Sequence, residues 1–192
     1  MKRLIVLLFV LAPLSIHAQS IGFRLDAGLG GALTFGAMRS YGIAAFSEPK
    51  VTIGPNITAG FRLEGDVLVG GNIDDSGEDV SVGMSTRAAT LLKGEYFIGS
   101  SKARPFVGLG LGRYTAANIS ASGTGAASIT AGNHFGLAPE LGIALGYFKI
   151  SAMYHVVTGN DILTLSTGGI EEISRNYLVI QIGFRIFGIN DK

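Results

Sequence analysis

The 192-residue chain has no cysteine and no tryptophan, and only 15% of its residues are charged. Without cysteine there is no disulfide framework, no thiolate zinc site, no cysteine nucleophile and no lipid-anchored cysteine near the N-terminus. The charges nearly cancel, with 15 Lys and Arg against 14 Asp and Glu. So thin and even a balance excludes a nucleic-acid-binding surface and a charged disordered tail. Long hydrophobic runs are missing as well. Beyond residue 20 nothing approaches the ~20 apolar residues that a spanning helix needs, although the mean hydropathy is positive. Glycine is the abundant residue, with 29 copies and no collagen period, too many for an ordinary helical protein. The length suits a single domain.

The N-terminus has three parts: Lys2 and Arg3, an apolar stretch from Leu4 to Leu14, and the exit Ser15-Ile16-His17-Ala18. That order is the pattern of a secretory signal peptide. Residues 1–18 are therefore expected to be removed, leaving 19–192 as one domain. Loss of Lys2 and Arg3 leaves 13 basic against 14 acidic residues.

Alternation governs the remainder. Ile21, Phe23, Leu25, Ala27 and Leu29 oppose Gly22, Arg24, Asp26 and Gly28. The same period of two runs through 51–64, 86–96, 105–112, 135–145, 148–156 and 178–186, with a weaker stretch at Val67, Val69, Gly71 and Ile73. Period two marks a strand with one apolar face, and no segment beyond the signal offers the three-and-four spacing of a helix. Eight strands are expected. Long connections fall at about 34–50, 74–83, 117–133 and 158–176, and short ones at 64–66, 99–104 and 146–147. A two-residue turn at Gly146-Tyr147 pairs Leu145 with Phe148, so pattern and register agree. Short turns at one end and long loops at the other predict an all-β fold: an eight-stranded antiparallel up-and-down transmembrane β-barrel, with periplasmic termini and external loops.

The second face decides which side meets lipid. A lipocalin-like barrel would turn its apolar face inward and show water a polar exterior, but here the second face is rich in glycine. Small residues suit the narrow interior of an eight-stranded barrel and leave room for a few long side chains. Arg24, Arg62, Arg87, Lys93 and Arg185 are expected to meet Asp26, Glu95 and Glu140 there, with Glu64 at the rim. Charges withdrawn from water must pair, so these residues read as a structural network in the lumen. Outward Tyr96, Phe148 and Tyr154 fall near strand ends, where aromatic girdles belong.

The run Arg104-Pro105-Phe106-Val107-Gly108-Leu109-Gly110-Leu111-Gly112 resembles the Pro-aromatic-apolar-Gly strand of the small "outer membrane protein beta-barrel domain" family. That family is similar in architecture to outer-membrane protein X and to the barrel of outer-membrane protein A. The segment Tyr177–Phe187 resembles the final strand by which such barrels are recognised by the assembly machinery, although Gly188 to Lys192 follow the closing aromatic. The resemblance implies residence in the outer membrane of a Gram-negative bacterium, with outer-membrane lipid and lipopolysaccharide as surroundings.

Few residues suggest chemistry. Met153–Asn160 faintly resembles the His-x-Ser-Asn stretch of lipid A deacylases, which are also eight-stranded barrels. A serine hydrolase needs a hydroxyl within reach of its imidazole. Position 157 is Val, Thr158 lies on the opposite face from His155, and no acidic partner is evident, so His155 reads as a lumen histidine bonded to its neighbours. Asp74, Asp75, Glu78 and Asp79 crowd one external loop without EF-hand spacing and read as a solvated loop rather than a divalent-ion site. The Ala, Ser, Gly and Thr of 116–132 read as a low-complexity loop, with no Lys or following helix to make it a phosphate loop. The sequon Asn56-Ile57-Thr58 falls in an expected strand and is discounted. No catalytic, cofactor or metal residue is assigned. The sequence favours a non-enzymatic surface, membrane-integrity or adhesion-type barrel. A narrow passage for small solutes comes second and a lipid A-modifying enzyme third.

Overall fold

Extended backbone with one small or polar face and one apolar face can abolish its open edges by closing on itself. In the computed structural model, which describes residues 21–35, 40–73, 80–121, 127–164 and 170–189, it does so. The barrel strands are β1 (Ile21–Thr34), β2 (Ser40–Ile53), β3 (Ile57–Ile73), β4 (Val80–Phe97), β5 (Ala103–Ala121), β6 (Ala127–Leu145), β7 (Phe148–Val157) and β10 (Tyr177–Ile189). Each pairs antiparallel with its neighbours, and β1 meets β10 to complete the ring. β8 (Asn160–Thr164) and β9 (Ile170–Ser174) form a separate hairpin inside the last long connection.

Eight barrel strands were expected and eight close, but several boundaries differ, and the expected separate strand 67–73 is the second half of β3. The expected strand 51–64 is two strands, broken at Gly54-Pro55-Asn56, and the expected turn 64–66 lies inside β3. Most of the expected loop 34–50 is strand β2. Glu48 and Lys50 make it look like a loop, yet both point into the barrel, where charge is at home. Pro49 has no N–H to give a ladder. The β2–β3 pairing leaves a gap there, between Ser47↔Leu63 and Lys50↔Gly60. Likewise β5 and β6 run on to Ala121 and from Ala127, well into the expected 117–133 loop. The signal segment 1–18 and the acidic residues 74–79 lie outside the described residues.

One end of the barrel gathers the short turns. Gly146 takes φ +63° in its two-residue turn, a left-handed conformation open to a residue without Cβ, and Leu145 pairs with Phe148 as the pattern requires. Asn56 stands in the 54–56 turn, not in a strand. Arg104 ties two turns together, donating to Pro55 O (2.7 Å), Asn56 Oδ1 (2.9 Å) and Gly99 O (3.0 Å). Arg104→Ala is expected to lower the unfolding free energy by about 1 kcal/mol, because these are solvent-accessible bonds to one cation. Urea titration of the refolded protein in detergent measures it.

The polarity of the barrel is inverted relative to a water-soluble protein. Outward residues include Leu29, Ile43, Phe61, Leu92, Leu141 and Ile182, all well exposed, with Leu141 at 65%. Inward residues include Arg24, Glu48, Lys50, Arg62, Glu95 and Lys149, all buried, with Arg62 at 0%. At the seam, a bulge in β10 opposite Leu25 and Asp26 adds Ile186 and resets the alternation. Phe187 therefore points outward and its ring lies 6.4 Å from that of Phe23. Inside, several glycines let strands approach: a Cβ on Gly42 or Gly112 would fall 2.0 Å from a carbonyl oxygen of the adjacent strand.

Candidate functional site

Among the described residues, the lumen is where this fold concentrates reactive groups. Each arrives by simple alternation, since a residue two away on the same strand shares its face. Glu48 is the hub: Arg62 Nη1, Lys93 Nζ and Lys50 Nζ each lie 2.6 Å from it and Lys149 Nζ lies 2.9 Å away. Glu95 receives Lys50 (2.8 Å), Lys149 (2.9 Å) and Lys93 (3.0 Å), and accepts from Thr58 Oγ1 (2.7 Å). Glu140 pairs with Lys93 and accepts from Ser151 Oγ (2.6 Å) and Gln181 Nε2 (2.9 Å). Arg62 also binds Glu64 and lies 3.9 Å from the centre of the Phe46 ring. Toward the short turns, Arg24 Nε lies 3.0 Å from Asp26 Oδ1, while the tilted rings of Phe97 and Phe106 meet with centroids 5.2 Å apart.

Glu48, Glu95 and Glu140 could in principle share a metal ion, for an oxygen of each lies within 4.8 Å of the others. Two ammonium groups already occupy that position. Lys93 and Lys149 each bridge all three carboxylates. With Lys50 and Arg62, which also pair with the cluster, they offset its three negative charges, so the site is furnished for lysine and not as a cation-binding cage.

Toward the long connections the lining turns apolar and aromatic, with Ala32, Ala44, Leu68, Ala89, Leu91, Met153 and Val179. His155 has no exposed surface. It stacks on Tyr177 at 4.1 Å and 3°, its Nδ1 is 3.0 Å from the Tyr114 hydroxyl, and its Nε2 is 3.3 Å from Glu64 Oε1. Glu64 is the acidic neighbour that the sequence did not reveal. Among the described residues, the hydroxyls bonded to His155 and Glu64 are the phenols of Tyr114 and Tyr177, and the arrangement ties the wall together.

The structure places Arg24, Asp26, Arg62, Lys93, Glu95 and Glu140 together in the lumen. Arg185 sits opposite Asp26 across the β1–β10 pair, and Arg87 lies nearer the long connections. Arg87 donates to Arg175 O (3.3 Å) and faces Asp66 across the β3–β4 pair, and Arg185 lies over the Tyr147 ring at 5.8 Å. Glu64, expected at the rim, is buried instead, because β3 continues past it. Sequence reasoning missed Glu48 and Lys50 inside a supposed loop, and Asp66 inside a supposed turn. Lys149 was legible, since it alternates with Phe148 and Ile150.

Little room is left. A space among Glu48, Lys50, Thr58, Lys93 and Glu95 measures about 10 Å³, at the lower limit for one water. A second, at the mouth beside Arg87, Tyr114, His134, Arg175 and Tyr177, measures about 30 Å³.

No family model and no curated protein matches the chain. Solved structures do. The attachment invasion locus protein Ail of Yersinia pestis, in complex with the heparin analogue sucrose octasulfate, is 12% identical, with 87% of this chain and 99% of that one covered and a TM-score of 0.49. The outer membrane protein OprG of Pseudomonas aeruginosa is 12% identical over 88% and 97%, with a TM-score of 0.48. Neisserial surface protein A is 13% identical over 86% and 96%, with a TM-score of 0.47. These neighbours are small eight-stranded outer-membrane barrels. The likeness concerns architecture alone.

Proposed function

We propose that this chain is an integral outer-membrane barrel of a Gram-negative bacterium, closed to solutes, whose external connections contact the surroundings in a surface, membrane-integrity or adhesion-type role. One observation carries the proposal: the barrel is apolar outside and charged inside. An exterior of exposed Ile, Leu, Val and Phe is untenable in water but suits a hydrocarbon layer. The band has the right height. From Leu178 to Phe187 the strand spans about 30 Å, or roughly 23 Å along the membrane normal at a tilt of ~40°, close to the ~25 Å apolar belt of such barrels. The leader at 1–18 supplies export, and the closing strand supplies recognition by the assembly machinery. The short-turn end with both strand termini then faces the periplasm, and the long connections face out.

A lumen filled by ion pairs favours a plug over a passage. Two measurements test the reading. The refolded protein is expected to run differently on gels before and after boiling, and unchanged mobility would count against a membrane barrel. Folded protein in a planar bilayer is expected to give no channel steps. Reproducible steps altered by Arg87→Ala or Glu95→Ala would instead establish the solute-passage reading.

A further inference from the structure

Along the outward face of the barrel strands, one charged side chain occurs among the described residues: Arg113. It lies on β5 directly between Thr90 of β4 and Phe135 of β6. The neighbouring outward row on the short-turn side is Leu92, Leu111 and Leu137, wholly apolar. The row on the other side is Ala88, Thr115 and Asn133, where Thr115 Oγ1 donates to Asn133 Oδ1 at 2.9 Å. Arg113 thus marks a boundary. The strand from Pro105 to Arg113 covers about 26 Å, or roughly 20 Å along the normal at a ~40° tilt, which puts the guanidinium at the external edge of the apolar belt.

The groups around it are matched in kind. Arg113 offers a planar fork of N–H donors, Thr90 a hydroxyl and Asn133 the Nδ2–H₂ of an amide whose oxygen is already engaged. No carboxylate shares this outward face among the described residues. A guanidinium takes a phosphate through two parallel bonds, which a merely snorkelling cation does not require. The three leucines beneath supply the surface that an acyl chain would cover. We propose that Arg113, with Thr90 and Asn133, binds a phosphate of an anionic lipid headgroup in the outer leaflet. The proposal rests on the membrane reading above and names its lipid contact.

The test uses the full barrel refolded in neutral detergent and titrated with diphosphorylated lipid A, with complexes counted by native mass spectrometry. Arg113→Gln is expected to weaken binding by roughly tenfold, the size of one charge-assisted hydrogen bond, and Arg113→Lys to lose less. Lys102→Gln, at the opposite end of the barrel, is expected to change nothing. Fully dephosphorylated lipid A is expected to bind wild type and Arg113→Gln alike and weakly, and inorganic phosphate alone is expected not to saturate. Equal affinity of Arg113→Gln and wild type for the phosphorylated lipid would overturn the proposal, as would saturable binding of free phosphate at lipid-like affinity. The boiled-versus-unboiled mobility of each variant separates this failure from failure of the barrel reading itself.

Discussion

Glu48→Gln is expected to destabilise the barrel by about 3–5 kcal/mol, the cost of removing one partner from a buried ion pair and stranding the others. Four cations converge on this carboxylate: Lys50, Arg62, Lys93 and Lys149. Glutamine keeps the volume and most of the shape, so the loss reports charge and not packing. A denaturant titration in lipid vesicles, following the disappearance of the compact gel band, measures it. A loss below about 1 kcal/mol would mean that the network fills space without electrostatic consequence. Adding Lys149→Met to Glu48→Gln restores the charge balance and is expected to recover part of the stability.

Gly112→Val should fail in a different way. Gly112 lies between β4 and β6, opposite Leu91 and Gly136. A Cβ there would sit 2.0 Å from Thr90 O, with Leu91 Cα at 2.8 Å. Neither atom can rotate aside, since both belong to backbone, so a strand must shift. Overpacking usually costs about 1–3 kcal/mol and more where the backbone is involved. The refolding yield of the compact form is expected to fall severalfold, whereas Gly65→Val, at an outward position with open space around its Cβ, is expected to leave the yield unchanged. Equal yields would show that the β4–β5 spacing relaxes at little cost.

Most of the fold was legible because a barrel writes itself in parity. Every expected outward residue of 86–96, 105–111 and 148–154 keeps its side. The count of eight holds only because two errors cancel: the expected strand 67–73 is the second half of β3, and β2 lies mostly in an expected loop. The compensation has a physical cause. The real turn 54–56 and the false turn 64–66 both contain three residues, so neither disturbs the odd-even alternation. Glycine and charge are ambiguous signals in this class of protein. In a soluble chain Ser47-Glu48-Pro49-Lys50 would be a loop, whereas here the two charges face the lumen and the proline falls in a ladder gap. The hub of the candidate site therefore lay in the segment where polarity pointed to a loop. The joining of Glu64 to His155 and Tyr177 depends on which strands close around the ring, and no local pattern encodes that.

The seam between β1 and β10 sets the timing of assembly. Phe23 lies opposite Ile189, so the closing contact joins the first and last described strands of the chain. Bringing such distant residues together carries a large loop-closure entropy, and topologies of this kind form slowly. A chain halted before Tyr177 would hold two open edges and a charge network lacking Gln181, with every outward leucine still in need of lipid. Each such half-product is prone to aggregate. Completion of the last strand is thus the moment at which a sticky ribbon becomes an inert cylinder, and mutations in β10 should act on how many molecules mature more than on how the mature ones behave.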